Sequence, residues 1–291
     1  MNFDDLVQRG LVHKKTYTEG KYAGLSVFKY SRKVFYDNLW SLDDRLLEAR
    51  GMVLDSDGNI VVWPFRKVFN YQENGTTIPE EKLCTVARKV NGFLGCVTKT
   101  EKYGTIYSTT GTLDSDFAKL VAKHVDDAKI EEGYTYLFEV CDSSDPHIVY
   151  EEEGAYLIGI RNLNTGEMIK ESLLDLVAKD LGVKRPDWFK CSFAHVLVIS
   201  RLITHEGFMV YSGDTALKIK SKHYLAKKFL MRMSDGKVDG MFTNPSLVKQ
   251  TIDEEFFDFV DYITTHFMQE VWQEMSDQQR RQIIEEYFNA N

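Results

Sequence analysis

Lys89-Val90-Asn91-Gly92 is followed along the chain by Phe138-Glu139, then Glu206-Gly207, then Lys218-Ile219-Lys220. Each stretch alone is ordinary. A lysine ahead of a glycine is usually a solvated side chain before a turn, and Lys-x-Lys on a strand is usually an exposed face. Their order along one chain implies chemistry. A lysine amine with a pKa near 10.4 is a poor nucleophile at neutral pH. Cations or a metal nearby lower that pKa and make the amine reactive. Two lysines spaced two apart on a strand point to one face, where they can hold a polyphosphate and its developing charge. The expectation is nucleotidyl transfer, with Lys89 attacking the α-phosphate of a nucleotide.

Around these stretches, Met52-Leu54, Ile60-Phe65, Phe93-Lys99, Gly104-Ser108, Thr135-Val140, Tyr156-Arg161, Phe208-Tyr211 and Ala216-Lys220 read as strands. Most are rich in β-branched or aromatic residues and bounded by Gly, Asp, Ser or Asn. Asp57-Gly58 reads as a hairpin turn. Asp116-Val125 and Lys170-Leu181 read as amphipathic helices, the second stopped by Gly182. Strand runs interrupted by helices predict an α+β fold. After about residue 225 the texture changes. Ile252, Phe256, Phe259, Ile263, Phe267 and Val271 recur at helical spacing. Asn244-Pro245 reads as a helix start, and Ser276 with Gln279 as a capping box. We therefore expect two domains, residues 1–225 carrying the site and 226–291 all helical. Met231, Met233 and the aromatics that follow read as core.

The 291 residues are 43% hydrophobic, enough for a sizeable core, and carry a net charge of −8, which excludes an overall basic coat. Four cysteines stand singly without a C-x-x-C pair, which argues against a zinc ribbon and fits reduced thiols. The N-terminus lacks the pattern of a signal peptide, and no run has the ~18 apolar residues of a membrane span. The expectation is a cytoplasmic protein without a membrane partner. Seven scattered histidines form no Ser-His-Asp pattern; His147 and His205 read as structural.

Lys-x-x-Gly occurs four times, so context selects among Lys21, Lys89, Lys179 and Lys237. Lys179 ends a predicted helix. Lys237 has no Glu-Gly or Lys-x-Lys behind it. Lys21 has Ala23 where the similar DNA ligase motif carries an acidic residue, and Leu25-Ser26 where it carries an arginine. Lys89 has the remaining stretches in order behind it, and Arg50-Gly51 and Phe65-Arg66-Lys67-Val68-Phe69-Asn70 ahead of it.

With these residues in place, roughly residues 25–225 resemble the covalent nucleotidyltransferase superfamily of ligases and RNA capping enzymes. Within it the chain is most similar to the bacteriophage T4 RNA ligase 1 family. Arg50-Gly51, Lys67-Val68-Phe69-Asn70, Lys89-Val90-Asn91-Gly92, Tyr136-Leu137-Phe138-Glu139, Glu206-Gly207 and Leu217-Lys218-Ile219-Lys220-Ser221 carry the resemblance. Ile158-Gly159-Ile160-Arg161-Asn162 with Thr165-Gly166-Glu167 also fits. The resemblance implies a nucleotidyltransferase domain of ATP-grasp-like antiparallel sheets. It implies ATP-dependent joining of RNA 5′-phosphate and 3′-hydroxyl ends, with magnesium or manganese, by a monomer engaged in RNA repair and of phage origin. It makes Lys89 the adenylated nucleophile. Tyr30, Arg50, Lys67 and Phe69 would contact the adenylate, and Glu139 the ribose. Glu206 would be catalytic and hold the metal, and Lys218 and Lys220 would bind phosphates. A carboxylate between Asp253 and Asp258 could assist the metal.

The chain departs from the family at Thr110, where a lysine before a glycine is the pattern. Its helical C-terminal region is also short. Lys218, Lys220, Lys222, Lys227, Lys228 and Arg232 form either a local basic patch for RNA or a solvated helix face. Alternatives remain: a DNA ligase or capping-type nucleotidyltransferase, and a catalytically degenerate RNA-binding module, for which Thr110 is the argument.

Overall fold

The computed structural model of the protein describes residues 1–145 and 147–290. Two compact units are interleaved in sequence: Met1–Val68, Gly92–Pro146 and Glu151–Pro186 form the first, and Phe69–Asn91, His147–Tyr150 and Asp187–Asn291 the second. Among the described residues the strands run, in chain order, β1 (Val12–Thr16), β2 (Ser26–Tyr30), β3 (Arg50–Leu54), β4 (Ile60–Val62), β5 (Phe69–Asn70), β6 (Leu83–Lys89), β7 (Phe93–Thr100), β8 (Gly104–Ser108), β9 (Tyr134–Cys141), β10 (Gly154–Asn162), β11 (Trp188–Ser192), β12 (Gly207–Ser212) and β13 (Thr215–Lys220).

The first unit holds two antiparallel sheets, ordered β1-β2-β3-β4 and β10-β9-β7-β8. They share one core, in which Leu25, Val27, Val53 and Val62 meet Cys96, Ile106 and Leu137. The predicted turn at Asp57-Gly58 joins β3 to β4, with Gly58 at φ +83°. The strand expected to reach Phe65 ends at Val62, ahead of Pro64, which has no N–H for a ladder. The opposite face of the second sheet is covered by the helices Asp116–His124 and Glu171–Leu181 through Val121, Leu174 and Ala178. Ser115 caps the first, its side chain accepting from the Ala118 N–H, and Gly182 closes the second at φ +70°. A buried ion pair ties this unit together: Glu48 accepts from Arg161 Nη1 at 2.9 Å and from Trp63 Nε1 at 2.9 Å. The Arg161 guanidinium lies 4.2 Å from the Trp63 ring centroid and also donates to the Gly166 carbonyl.

The second unit is built on a five-stranded sheet, β11-β6-β12-β13-β5, antiparallel except for the parallel pair β13-β5. Val86, Phe208, Val210 and Leu217 pack one face against the helix Phe193–Ser200. From Lys222 onward the described residues form helices and helical turns without a strand. Their core gathers Phe229, Phe256, Phe259, Ile263, Trp272 and Ile284. A side chain of this size contributes about 1.5–3 kcal/mol when fully buried. The helical periodicity from Ile252 to Val271 is broken into a turn at Glu254–Phe256 and helices Phe257–His266 and Gln269–Glu274. Asn244 and Ser276 cap their helices as expected, with Ser276 and Gln279 exchanging reciprocal hydrogen bonds. Met233 packs on this core, whereas Met231, expected inside, is 58% exposed. Among the described residues no helix is long and apolar enough to cross a membrane.

Candidate functional site

Strand register brings the second unit's candidates together. In β6-β12, Gly207 lies opposite Lys89; in β12-β13, the same Gly207 lies opposite Lys220. Three adjacent strands therefore carry the lysine, the Glu-Gly step and the Lys-x-Lys pair side by side. Met209 faces Lys218 on β13, and Lys218 in turn pairs with Asn70 and Leu217 with Phe69 of β5. The glycine is required. It sits at φ +153°, and a Cβ there would fall 1.9 Å from the Ile219 carbonyl oxygen. No side chain fits between these strands at that point.

Glu206 ends the loop ahead of β12 with its side chain only 4% exposed. One carboxylate oxygen lies 2.9 Å from Lys89 Nζ, and the other accepts from Asn91 Nδ2 at 2.9 Å. Asn91 Oδ1 accepts in turn from the Val149 N–H. Ser221 fixes the loop from the other side. Its N–H donates to the Glu206 carbonyl, its hydroxyl donates to the His205 carbonyl, and the same oxygen caps the helix Lys222–Arg232 by accepting from the Tyr224 N–H. His205 packs edge-on against Phe208 and accepts from the Gly207 N–H at 3.3 Å. Burial and the nearby Arg88 push its pKa below the ordinary value, so it is a neutral structural imidazole.

Lys220 and Lys228 both donate to one oxygen of Glu255, at 2.6 and 2.8 Å. Burial opposes the charge on Lys220. Glu255 and Glu206 outweigh it and hold the ammonium above the ordinary lysine range. Burial likewise opposes charge on Glu255, and Lys220 and Lys228 outweigh it, keeping the carboxylate ionised. Tyr224 lies buried among the same charges, and burial raises its phenol. The basic span from Lys218 to Arg232 is thus not one surface. Lys220 and Lys228 turn inward to a carboxylate, while Lys227 and Arg232 are exposed.

The first unit holds the other candidates. Tyr30 meets Trp40 edge-on with ring centroids 4.8 Å apart, and Lys67 Nζ lies 5.2 Å from the same Trp40 ring and 5.4 Å from Phe35. Lys67 is 9% exposed, and its backbone N–H donates to the Leu47 carbonyl. Arg50 stands on β3 with Nη1 at 3.5 Å from the Arg66 carbonyl. Gly51 follows it because a Cβ there would lie 2.6 Å from Thr110 Cα. Glu139, on β9, accepts from the Gly92 N–H at 3.0 Å. Gly92 is needed where it stands, since a Cβ would meet the Val140 carbonyl oxygen at 2.3 Å.

Sequence reasoning missed Trp40, Phe35, Asn91 as an anchor of Glu206, and the strand β6 that carries Lys89; it offered a carboxylate between Asp253 and Asp258 for a metal but not the contact of Glu255 with Lys220 and Lys228. The signal for β6 is only partial: Cys84 and Val86 are buried on either side of half-buried Thr85, but Ala87 is buried as well and breaks the alternation. Elsewhere in the first unit, His124, Asp142 and Glu153 offer metal-ligand atoms within 4.8 Å of one another. There Lys123 Nζ already spans Asp142 at 2.6 Å and Glu153 at 3.2 Å, so that cluster is a tie between a helix end and the segments after β9.

A family model described as RNA ligase matches residues 48–224. No curated protein matches the chain. Among solved structures, form 1 of an archaeal ATP-dependent RNA ligase is similar at a TM-score of 0.63 and 14% identity, over 97% of this chain and 75% of that one. Form 2 of the archaeal ligase gives 0.62 and 14%, over 98% and 76%. A structure described as a putative ATP-dependent DNA ligase from Aquifex aeolicus gives 0.60 and 12%, over 98% and 77%. At these identities the likeness is one of fold, that of the nucleotidyl-transfer ligases.

Proposed function

Because this chain belongs to the RNA ligase family typified by bacteriophage T4 RNA ligase 1, we propose that it seals RNA ends at the expense of ATP through a lysyl-AMP on Lys89. The observation that carries this reading is the register of β6, β12 and β13, with Lys89 and Lys220 on either side of Gly207. Lys89 attacks the α-phosphate, an N–P bond forms and pyrophosphate leaves. Glu206, 2.9 Å from Nζ, orients the amine and stands where its proton can go. Lys218 and Lys220 hold the phosphates. Tyr30, Arg50, Lys67 and Phe69 bind the adenylate, and Glu139 the ribose. The AMP then passes to the RNA 5′-phosphate, and the 3′-hydroxyl displaces it. Each displacement needs alignment and charge neutralisation more than a strong base.

Glu206 has the hard oxygen donors that magnesium or manganese takes, with lone pairs beyond those facing Lys89 and Asn91. It is the residue that would hold such an ion, which would supply neutralising charge at the phosphates. We assign residues 1–225 to nucleotidyl transfer and 226–291 to a helical C-terminal domain, in a monomer that repairs RNA in the cytoplasm.

The test is the intact mass of the protein after incubation with ATP and magnesium, beside Lys89→Ala. A single AMP adduct in the native protein, abolished in the variant, is the expected result. An adduct that survives moves the nucleophile to Lys21 or elsewhere. No adduct, in protein free of preloaded AMP, favours the RNA-binding module that Thr110 suggests.

A further inference from the structure

A lysine that must present its charge at one point has a difficulty: its ammonium rides on a flexible four-carbon stem. Lys220 is held against this freedom by a residue far along the chain. Glu255 Oε1 accepts from Lys220 Nζ at 2.6 Å, and all but 8% of the Glu255 side chain is buried. Its own place is set by its neighbour. Phe256 is 2% exposed and packs edge-on against Phe229 with centroids 5.3 Å apart, anchoring the turn Glu254–Phe256 on the helix Lys222–Arg232. Lys228, from that same helix, is the second donor to Glu255 and lies 2.9 Å from Asp253. One buried carboxylate thus serves two ammonium groups, and Asp253 offsets the charge of Lys228. The second cation helps keep Glu255 ionised, so that its oxygen stays an acceptor fixed on the Lys220 ammonium.

We propose that Glu255 is a positioning residue for ATP use: through its hydrogen bond it fixes the Lys220 ammonium for the triphosphate, with Lys228 as its counter-cation. This rests on the reading of Lys220 as a phosphate-binding group. Through this contact the helical C-terminal region takes part in the first chemical step.

Single-turnover formation of the AMP adduct is followed against ATP concentration for the native protein, Glu255→Gln, Glu255→Asp, Lys228→Met and Lys220→Ala. Sealing of a pre-adenylated RNA, which needs no triphosphate, is measured in parallel. Losing a hydrogen bond to a charged group corresponds to about a tenfold effect or more. Glu255→Gln is therefore expected to raise the half-saturating ATP concentration about tenfold while pre-adenylated RNA is sealed within about twofold of the native rate. Glu255→Asp should recover part of the loss, and Lys228→Met should show a smaller shift of the same kind. The proposal is overturned if Glu255→Gln leaves the ATP dependence unchanged while Lys220→Ala alters it. Equal loss of both reactions in Glu255→Gln and Glu255→Asp also overturns it, since that is the mark of a merely structural residue. Unchanged ATP dependence in Lys220→Ala, or no adduct in the native protein, removes the phosphate assignment itself.

Discussion

Gly207 shows how much a single residue decides here. Its missing side chain lets β12 run between β6 and β13 at the point where Lys89 and Lys220 face it. Gly207→Ala would drive a methyl group into the Ile219 carbonyl at a φ that L-residues rarely adopt. Backbone, unlike a flexible side chain, yields at considerable cost. We expect a loss of about 1–3 kcal/mol of stability, read as a lower urea midpoint. AMP-adduct formation should fall with it, because any shift of β12 separates Glu206 from Lys89. Gly213, whose φ is +56° with no atom within 4 Å of a Cβ, is the control. Ala there pays only for its left-handed backbone.

At the scale of elements, the capping box at Ser276 offers a measurable contribution. Ser276 and Gln279 satisfy each other's backbone N–H groups at the start of the helix Asp277–Ala290. Ser276→Ala should cost about 1 kcal/mol, read from the same unfolding curves, with ATP dependence unmoved. That cap was legible in sequence, as were Asn244-Pro245 and the stop at Gly182, since each depends on residues three or four apart. The long strands β7, β9 and β10 were legible from their β-branched and aromatic runs. β1, β2, β5, β6 and β11 were not. β5 has two residues and β1, β2 and β11 five each, while β6, though seven residues long, lacks a strict alternation of buried and exposed positions. The lysines, Glu206 and Glu139 could be picked out by their order, but Glu255 could not. Its role comes from a turn that reaches back 35 residues to Lys220, in a stretch where several carboxylates look alike.

For the whole molecule, the chain passes repeatedly between two units, so each must be stabilised by segments distant in sequence. In the first unit the Glu48–Arg161 pair joins two such segments, with side chains 11% and 9% exposed. Arg161→Ala would leave Glu48 buried beside Trp63 without its cation. The expected cost is about 3–5 kcal/mol. It should be visible as faster amide hydrogen exchange across β9 and β10, while β6 and β12 keep their protection. Interleaving also bears on how the protein is made. β6 takes its place between β11 and β12, yet it is synthesised well ahead of both. A ribosome adds roughly 5–20 residues per second, so β6 waits for seconds as an unpaired edge, open to wrong partners. Until Glu206 emerges, the nascent chain carries Lys89 without the carboxylate that orients it. A stalled translation product ending before that point would be a chain that has its reactive lysine but no means of spending ATP.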